Sequence, residues 1–419
     1  MGTGNTTHGL PVVVVGGGPV GMTAAAMLAE AGVPVVVIER HPEPQTDWRA
    51  STFHAPTLEL LDRIGVTGRM HDEGLVVPQY HFRDRRAGLV AAFDFSLLGD
   101  ETPYPYRLQL NQQHLVRMLH ERLTGRAVFA FGTRALAVTD HGDEVAVTVE
   151  TGGAVETWRA AFVIGADGAG STIRRTLGVA FEGFTYPERF LIASVADDLR
   201  SLIPDLADVN YVADPEEWLF ILRTSESWRA VWPVPADVED PASAAAVQAG
   251  LQRIAHHPDG YQVLDTQLYN VHQRVAARFR AGRVAIIGDA AHVNSPIGGV
   301  GLNSGIHDAM DLTTRLIRSL GTGPALGHDG TALDAELDAF DTVRRLVAVE
   351  YVQADTQRNT DRLKERDEDR RRRAHDEMRA IAADPERARA YMRRASLLES
   401  VRRYGIGEPV KTRTVEGIS

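Results

Sequence analysis

Three short clusters of glycine and acid, far apart in the chain, carry the residue types best suited to chemistry. The first is Gly16-x-Gly18-x-x-Gly21, which follows the β-branched run 12–15 and opens an alanine-rich stretch; a second apolar run, 35–38, ends in Glu39. Each glycine has a job: Gly16 permits the tight turn, Gly18 lets backbone N–H groups approach a pyrophosphate, and Gly21 lets a helix pack closely on the strands. That helix, starting near Pro19 and Val20, points its positive end at the phosphates, and Glu39 stands where an acid would hold a ribose hydroxyl pair. The second cluster is Gly165-Ala166-Asp167-Gly168, with Ser171 and Arg174 after it. The third is Gly288-Asp289-Ala290-Ala291-His292, continued by Pro296, Gly298, Gly299, Gly301 and Asn303. Asp289 would accept hydrogen bonds from polyol hydroxyls, and the backbone over 298–303 can lie flat under a ring and offer N–H donors to developing negative charge.

Such clusters need rigid elements behind them. Each follows an apolar run, at 12–15, 161–164 and 284–287, and in a doubly wound sheet a ligand lies across the carboxyl ends of the strands, so the three turns can converge on one extended cofactor. Helices are expected over 50–64, 111–123, 171–177 and 303–320, and long charged helices over 333–403, where glycine is almost absent. Strands are expected within 80–98 and 190–234 (209–213, 218–223 and 228–234), and 133–139 with 144–150 reads as a hairpin. The strand-rich segments would form a second layer over the cofactor.

Composition removes several classes. A chain of 419 residues with 44% apolar content can bury a large core, and its formal charge of −11 argues against a nucleic-acid partner. The basic run 370–373 lies among acids and reads as a solvated helix face. There is no cysteine, which excludes disulfide reduction by a cysteine pair, thiolate nucleophiles and cysteine-ligated clusters, and suits a cytoplasmic location. Lysine occurs only at 364 and 411, no apolar stretch has the length of a membrane span, and residues 1–9 read as a short frayed end.

Taken together, GxGxxG with Glu39, GADG with Ser171 and Arg174, and GDAAH…P…GG.G.N with Asp308 and Ala309 resemble the FAD-dependent single-component aromatic hydroxylases of the para-hydroxybenzoate hydroxylase fold, over roughly residues 12–320. The resemblance implies an α/β architecture: a Rossmann-like FAD-binding domain with a parallel sheet assembled from 1–75, 108–180 and 273–330, a β-sheet substrate domain from 76–107 and 181–272, and a C-terminal helical region, 331–419. It implies that Glu39 serves the adenosine ribose and Arg49 the diphosphate, and that Gln112 reaches the cofactor. Asp167 would serve FAD and the use of NAD(P)H, Asp289 the ribityl side, and Gly301, Leu302 and Asn303 the isoalloxazine; Arg40, Leu136 and Gly299 complete the cofactor-binding set. Pro296 would stand beside the flavin's reactive edge, with Ser295 in place of a second proline and Val300 where glutamine is common. The chemistry implied is reduction of FAD by NADPH or NADH, capture of O2 as a C4a-hydroperoxide, and oxygen transfer to a small aromatic substrate, in a monomer or homodimer.

Substrate residues are candidates by position only. Strands over the flavin would present Tyr211, Trp218, Arg223 and Trp232 for stacking or charge pairing, and His54, His81 and His272 could assist proton removal. A flavin halogenase is disfavoured, because Trp228 and Trp232 have the wrong spacing and no lysine precedes Lys364. An epoxidase or polyprenyl-type reductase of the same fold, and a non-catalytic FAD-binding sensor, stay open.

Overall fold

The structure is a computed structural model that describes residues 9–320 and 330–408; most of the segment read as a frayed end, 1–8, lies outside them. The valine run Val12–Val15 is fully buried, so it sits in the middle of a six-stranded sheet, as near-continuous apolar strands do when both faces are covered. Its neighbours are Val35–Glu39 and then Val128–Phe131 on one side, Phe162–Gly165, Val284–Ile286 and Arg280–Ala281 on the other. All pairings are parallel except the last, at the edge. The register sets Val15 beside Gly165 and Gly165 beside Ile286. All three glycine-acid turns therefore leave the sheet at one end, side by side.

Helix Pro19–Glu30 begins with proline in its first turn, packs its buried alanines on the sheet, and is flanked by Gln112–Leu123 and Gly301–Leu320. The helix expected over 50–64 is shorter: Thr52–Phe53 is a strand paired with Arg107–Gln109, and the helix runs Ala55–Asp62. Pro56 explains the difference, since it has no N–H to give and a helix cannot run through it unbroken. The expected hairpin gains a third strand, Ala154–Ala160, whose exposed polar face hid it from pattern reading.

An eight-stranded sheet forms the second layer. Three of its strands, Val209–Ala213, Leu219–Arg223 and Trp228–Val234, fall where expected. Its two longest, Phe181–Val195 and Val263–Ala276, pair with each other and extend far beyond the expected segment. Gly183, Pro187 and several charges interrupt the apolar pattern of the first. One face of this sheet, with Leu191, Ile221, Ala230 and Trp232, is sealed by helix Ala244–Ile254, which the sequence reading did not identify. Gly250 is where the two meet; a Cβ there would stand 2.6 Å from the Trp232 ring.

The C-terminal chain forms the long helices expected: Gly330–Val347, a π-helical turn Ala348–Gln353, Ala354–Leu363, then Glu368–Ala383, Pro385–Ala395 and Leu398–Tyr404. The first packs on Gly301–Leu320 beneath the six-stranded sheet. Leu363, Met378 and Met392 join the core of the eight-stranded sheet, so the region bridges both layers. No described helix is long and apolar enough to cross a membrane.

Truncating Trp232 would leave a cavity between sheet and helix. Trp232→Ala is expected to cost about 3–5 kcal/mol in urea denaturation.

Candidate active site

At the shared strand ends lies a groove of about 310 Å³, and beyond it a cleft of about 730 Å³ between the glycine-rich loop and the eight-stranded sheet. Asp47, Arg49, Ala50, Asp289 and Leu302 line both, which makes them one continuous space.

The first turn is built so that only glycine fits. Gly16 has φ +112° and a Cβ there would lie 2.3 Å from the Ala166 carbonyl oxygen; one on Gly21 would lie 2.0 Å from that of Gly16. Gly18, by contrast, meets nothing closer than Gln45 Oε1 at 3.7 Å, leaving its backbone open to the groove. That contrast is the steric signature of a turn pressed against its helix on one side and against a ligand on the other. Glu39 is 3% exposed and accepts from Gly17 N–H (2.8 Å), His41 N–H (2.9 Å) and Gln45 Nε2 (3.1 Å), so it braces the turn and keeps lone-pair capacity for a hydroxyl. Pro19, Val20 and the exposed Arg40 line the same groove.

The other two acids differ. Asp167 reaches the groove but its carboxylate is engaged: it accepts from Ser171 Oγ (2.5 Å), Thr172 N–H (2.6 Å) and Ile173 N–H (3.2 Å), capping the next helix. Arg174 then ties this turn to the third, donating to Ala290 O at 2.7 Å and lying over the Phe181 ring. Asp289 accepts no hydrogen bond from the described residues. Its surface is open to the groove, yet protein surrounds it closely enough for desolvation to raise its pKa above the usual carboxylate range, against the pull of His292 and Arg49. An open carboxylate at the floor of the groove fits a polyol ligand. Arg49, with a side chain 66% exposed, and Gln112 line the groove above it.

Several expected residues lie elsewhere. Asn303 lines neither the groove nor the cleft: its side chain is buried, accepts from His54 N–H (2.9 Å) and Thr57 Oγ1 (2.6 Å), and donates to Thr52 O (2.9 Å) and Gly299 O (2.6 Å). It clamps the glycine-rich loop to Thr52–Phe53, while its neighbour Leu302 lines both cavities. His54 is not a proton acceptor in the cleft. It is fully buried, its Nε2 is 3.1 Å from Gly298 O, and burial holds its pKa well below the usual histidine value, so it is a neutral brace for the loop. Leu136 lies just past the wall, which Thr133, Arg134 and Ala135 form.

Among the substrate candidates, Trp232 faces the opposite side of the sheet, and Arg223 turns the same way to lie 3.6 Å from Asp208. Neither lines the cleft. Trp218 packs edge-on against Phe190 in the core, and His81 is buried beside Arg83, on the reverse side from Tyr80 and Phe82. Tyr211 stacks on Phe220 at 4.8 Å and accepts from Arg107 at 3.1 Å, so it backs the cleft without lining it. The cleft wall is made instead by Ile192, Phe220, Leu222, Arg229, Val231 and Tyr269, facing Pro296, Gly299 and Gly301. His272 also lines it, with Nδ1 2.9 Å from Thr185 Oγ1. Strand parity was the available signal: Phe220 with Leu222, and Arg229 with Val231, are the alternate positions of two adjacent strands.

Comparison with known proteins identifies the family and its cofactor. The model of the FAD binding domain family matches residues 9–355. The chain belongs to this FAD-binding family. The para-nitrophenol 4-monooxygenase of a Pseudomonas species is 34% identical over 365 residues, covering 85% of this chain and 88% of that protein. The 6-hydroxy-3-succinoylpyridine 3-monooxygenase HspB of Pseudomonas putida is 32% identical over 355 residues, covering 81% of this chain and 86% of its own length. Among solved structures, that of p-nitrophenol 4-monooxygenase PnpA from Pseudomonas putida superposes with a TM-score of 0.86 at 30% identity, covering 94% of this chain and 98% of that one. This member of the family is an FAD-dependent monooxygenase of aromatic compounds, with the para-hydroxybenzoate hydroxylase fold.

Two tests follow from the geometry. Asp289→Ala is expected to weaken FAD binding about 10–100-fold, the worth of hydrogen bonds to a charged acceptor, measured by flavin fluorescence titration of apoprotein. A mutant binding FAD as wild type does would remove Asp289 from the cofactor site. Asp308, buried against Arg344 and His292, has its pKa held down to about 2. A depressed carboxylate contributes stability that is complete above the unfolded value near 4 and is lost as pH falls toward 2. Urea midpoints for Asp308→Asn should therefore start below wild type at pH 6, and the gap should narrow between pH 4 and pH 2.

Proposed function

We propose that the protein hydroxylates a small phenol or hydroxylated heteroaromatic compound, consuming NAD(P)H and O2. The observation that carries this reading is the cleft itself: a mostly apolar sheet face of Ile192, Phe220, Leu222 and Val231, with one buried cation, opposite the glycine-rich loop and continuous with the groove that fits FAD. Bound FAD, once reduced, supplies the activated oxygen.

The chain's own residues supply position and dryness. Glu39, Arg49 and Asp289 would hold the adenosine ribose, diphosphate and ribityl parts. Leu302 and the backbone at Gly299 and Gly301 would support the ring, with Pro296 at its reactive edge. The apolar sheet face excludes water from the reacting carbon, which protects the activated oxygen from unproductive loss. Arg229 is 2% exposed; its guanidinium donates to Arg49 O (2.9 Å) and Asn111 Oδ1 (2.5 Å), while Nε has no partner among the described residues. Burial lowers its pKa to about 10, so it stays cationic at neutral pH and favours the ionised form of a phenol beside it. Tyr269, whose pKa burial pushes far up, remains a neutral donor, and His272 at the wall is the cleft's candidate for taking the phenolic proton. Relatives that are named for oxidising a nitrophenol and a hydroxypyridine support this substrate class.

FAD-loaded protein should oxidise NADPH or NADH faster when the right phenol or hydroxypyridine is present, with equimolar O2 uptake and one oxygen from labelled O2 in the product. Substrate-stimulated oxidation of NAD(P)H without O2 uptake would replace this reading with a reductase. Arg229→Gln is expected to reduce kcat/KM about 10–100-fold, as loss of a charged hydrogen bond does.

A further inference from the structure

Behind the glycine-rich loop lies a second, smaller cavity of about 30 Å³, between the edge of the eight-stranded sheet and the C-terminal helices. The loop separates the two spaces: Pro296, Gly299 and Gly301 face the cleft, whereas Ile297, Gly298 and Val300 face this cavity. Its charges do not balance. Arg107, Arg362 and Arg394 line it, with Asp355 the one carboxylate among its lining residues. Asp355 is already paired with Arg394 at 3.0 Å, and neither Arg107 nor Arg362 has a carboxylate within ion-pair distance among the described residues.

Arg107 is the sharper anomaly. It is 2% exposed, sits over the rings of Tyr80 (4.4 Å), Phe95 (5.2 Å) and Tyr211 (5.8 Å), and gives one N–H to Tyr211 Oη. Its Nε has no partner among the described residues. Aromatic faces steady a cation but do not neutralise it, and a buried guanidinium without a counterion carries a desolvation cost that an anion would offset. Size limits what can fill the place. A cavity of about 30 Å³ admits one water-sized species and no aromatic ring.

We propose that this cavity is a binding site for a small monovalent inorganic anion of halide size, held by Arg107 with Arg362 at its rim. The anion completes the charge balance and braces the back of the glycine-rich loop, whose front faces the cleft. The site is independent of the substrate reading, since it lies on the other side of the loop.

The test uses FAD-loaded protein, with thermal unfolding followed in sodium chloride or sodium bromide against sodium gluconate, an anion too large to enter, at equal ionic strength. A ligand that binds only the folded state raises its midpoint saturably, by about 2 °C for a site half-filled in the low millimolar range and a chain of this size. Bromide and chloride should give that rise, gluconate should not, and Arg107→Gln should abolish it. Should Arg107→Gln fail to fold, Arg362→Gln, at the half-buried rim, should still weaken the halide response several-fold. Crystals soaked in bromide should show an anomalous peak within hydrogen-bond distance of the Arg107 guanidinium. Identical midpoints in all three salts, or an empty cavity in the bromide-soaked crystal, would overturn the proposal.

Discussion

The cofactor groove depends on one buried carboxylate that never touches it. Asp308, on helix Gly301–Leu320, accepts from Arg344 Nε (2.6 Å), from Gly288 N–H (3.0 Å) and pairs with His292 Nε2 (2.9 Å). Arg344 adds bonds to the Ser304 carbonyl and hydroxyl. Asp308 and Arg344 are both wholly inaccessible, so their mutual attraction is repaid against desolvation only because most of the remaining donors and acceptors are satisfied. The geometry matters more than the net energy. Gly288 immediately precedes Asp289, and Ser304 lies in the first turn of the helix that follows the glycine-rich loop, just after Leu302 and Asn303. One ion pair therefore fixes the height of the groove floor, the start of the long helix and the seat of the C-terminal region together.

That coupling gives the C-terminal helices a purpose beyond covering surface. Arg344 comes from Gly330–Val347, and the same helical run, after its π-helical turn, brings Thr356 to Gln273 and Thr360 to Ser295. Ser295 precedes Pro296, and its backbone N–H is held by Gln273 at 3.1 Å. A hydroxyl at this position makes a tie to the helix that a proline could not. The loop beside the cleft is thus pinned from behind by the Thr360 side chain, 65 residues beyond Ser295, while Asn303 holds it through Gly299 O.

How much of this was legible in the sequence follows from where each interaction is decided. The six-stranded sheet was readable because valine runs followed by glycine turns are local signals, and parallel register then aligns their ends. Most residues expected at the cofactor do line the groove or the cleft, but a motif names positions along the chain and not angles around a helix. Leu302 and Asn303 are adjacent in the same motif, yet one lines the groove and the other is a buried clamp. The substrate wall was legible as a region, 210–235, which supplies Phe220, Leu222, Arg229 and Val231, but not residue by residue: Trp232 and Arg223 have suggestive chemistry, but a strand alternates its faces, and only the packing of helix Ala244–Ile254 shows which face is closed. His54 misled because a histidine near a cofactor motif reads as a base, whereas its environment, invisible in sequence, keeps it neutral and bound to Gly298.

Asp167 and Asp289 show how one local pattern acquires two duties. Both follow a buried strand and a glycine, and both sit at the same end of the sheet. What differs is the chain that comes next. After Asp167 a helix begins at Thr172, and its free N–H groups draw the carboxylate in, as the first turn of any helix draws an anion. Asp289 instead sits within a single tight turn, Gly288–Ala290, after which the chain returns as the short strand His292–Val293; the next helix starts only at Gly301. No helix terminus competes for the carboxylate. Asp289 therefore keeps its oxygens open to a ligand, and hydroxyl donors from a bound cofactor would offset the partial desolvation that raises its pKa.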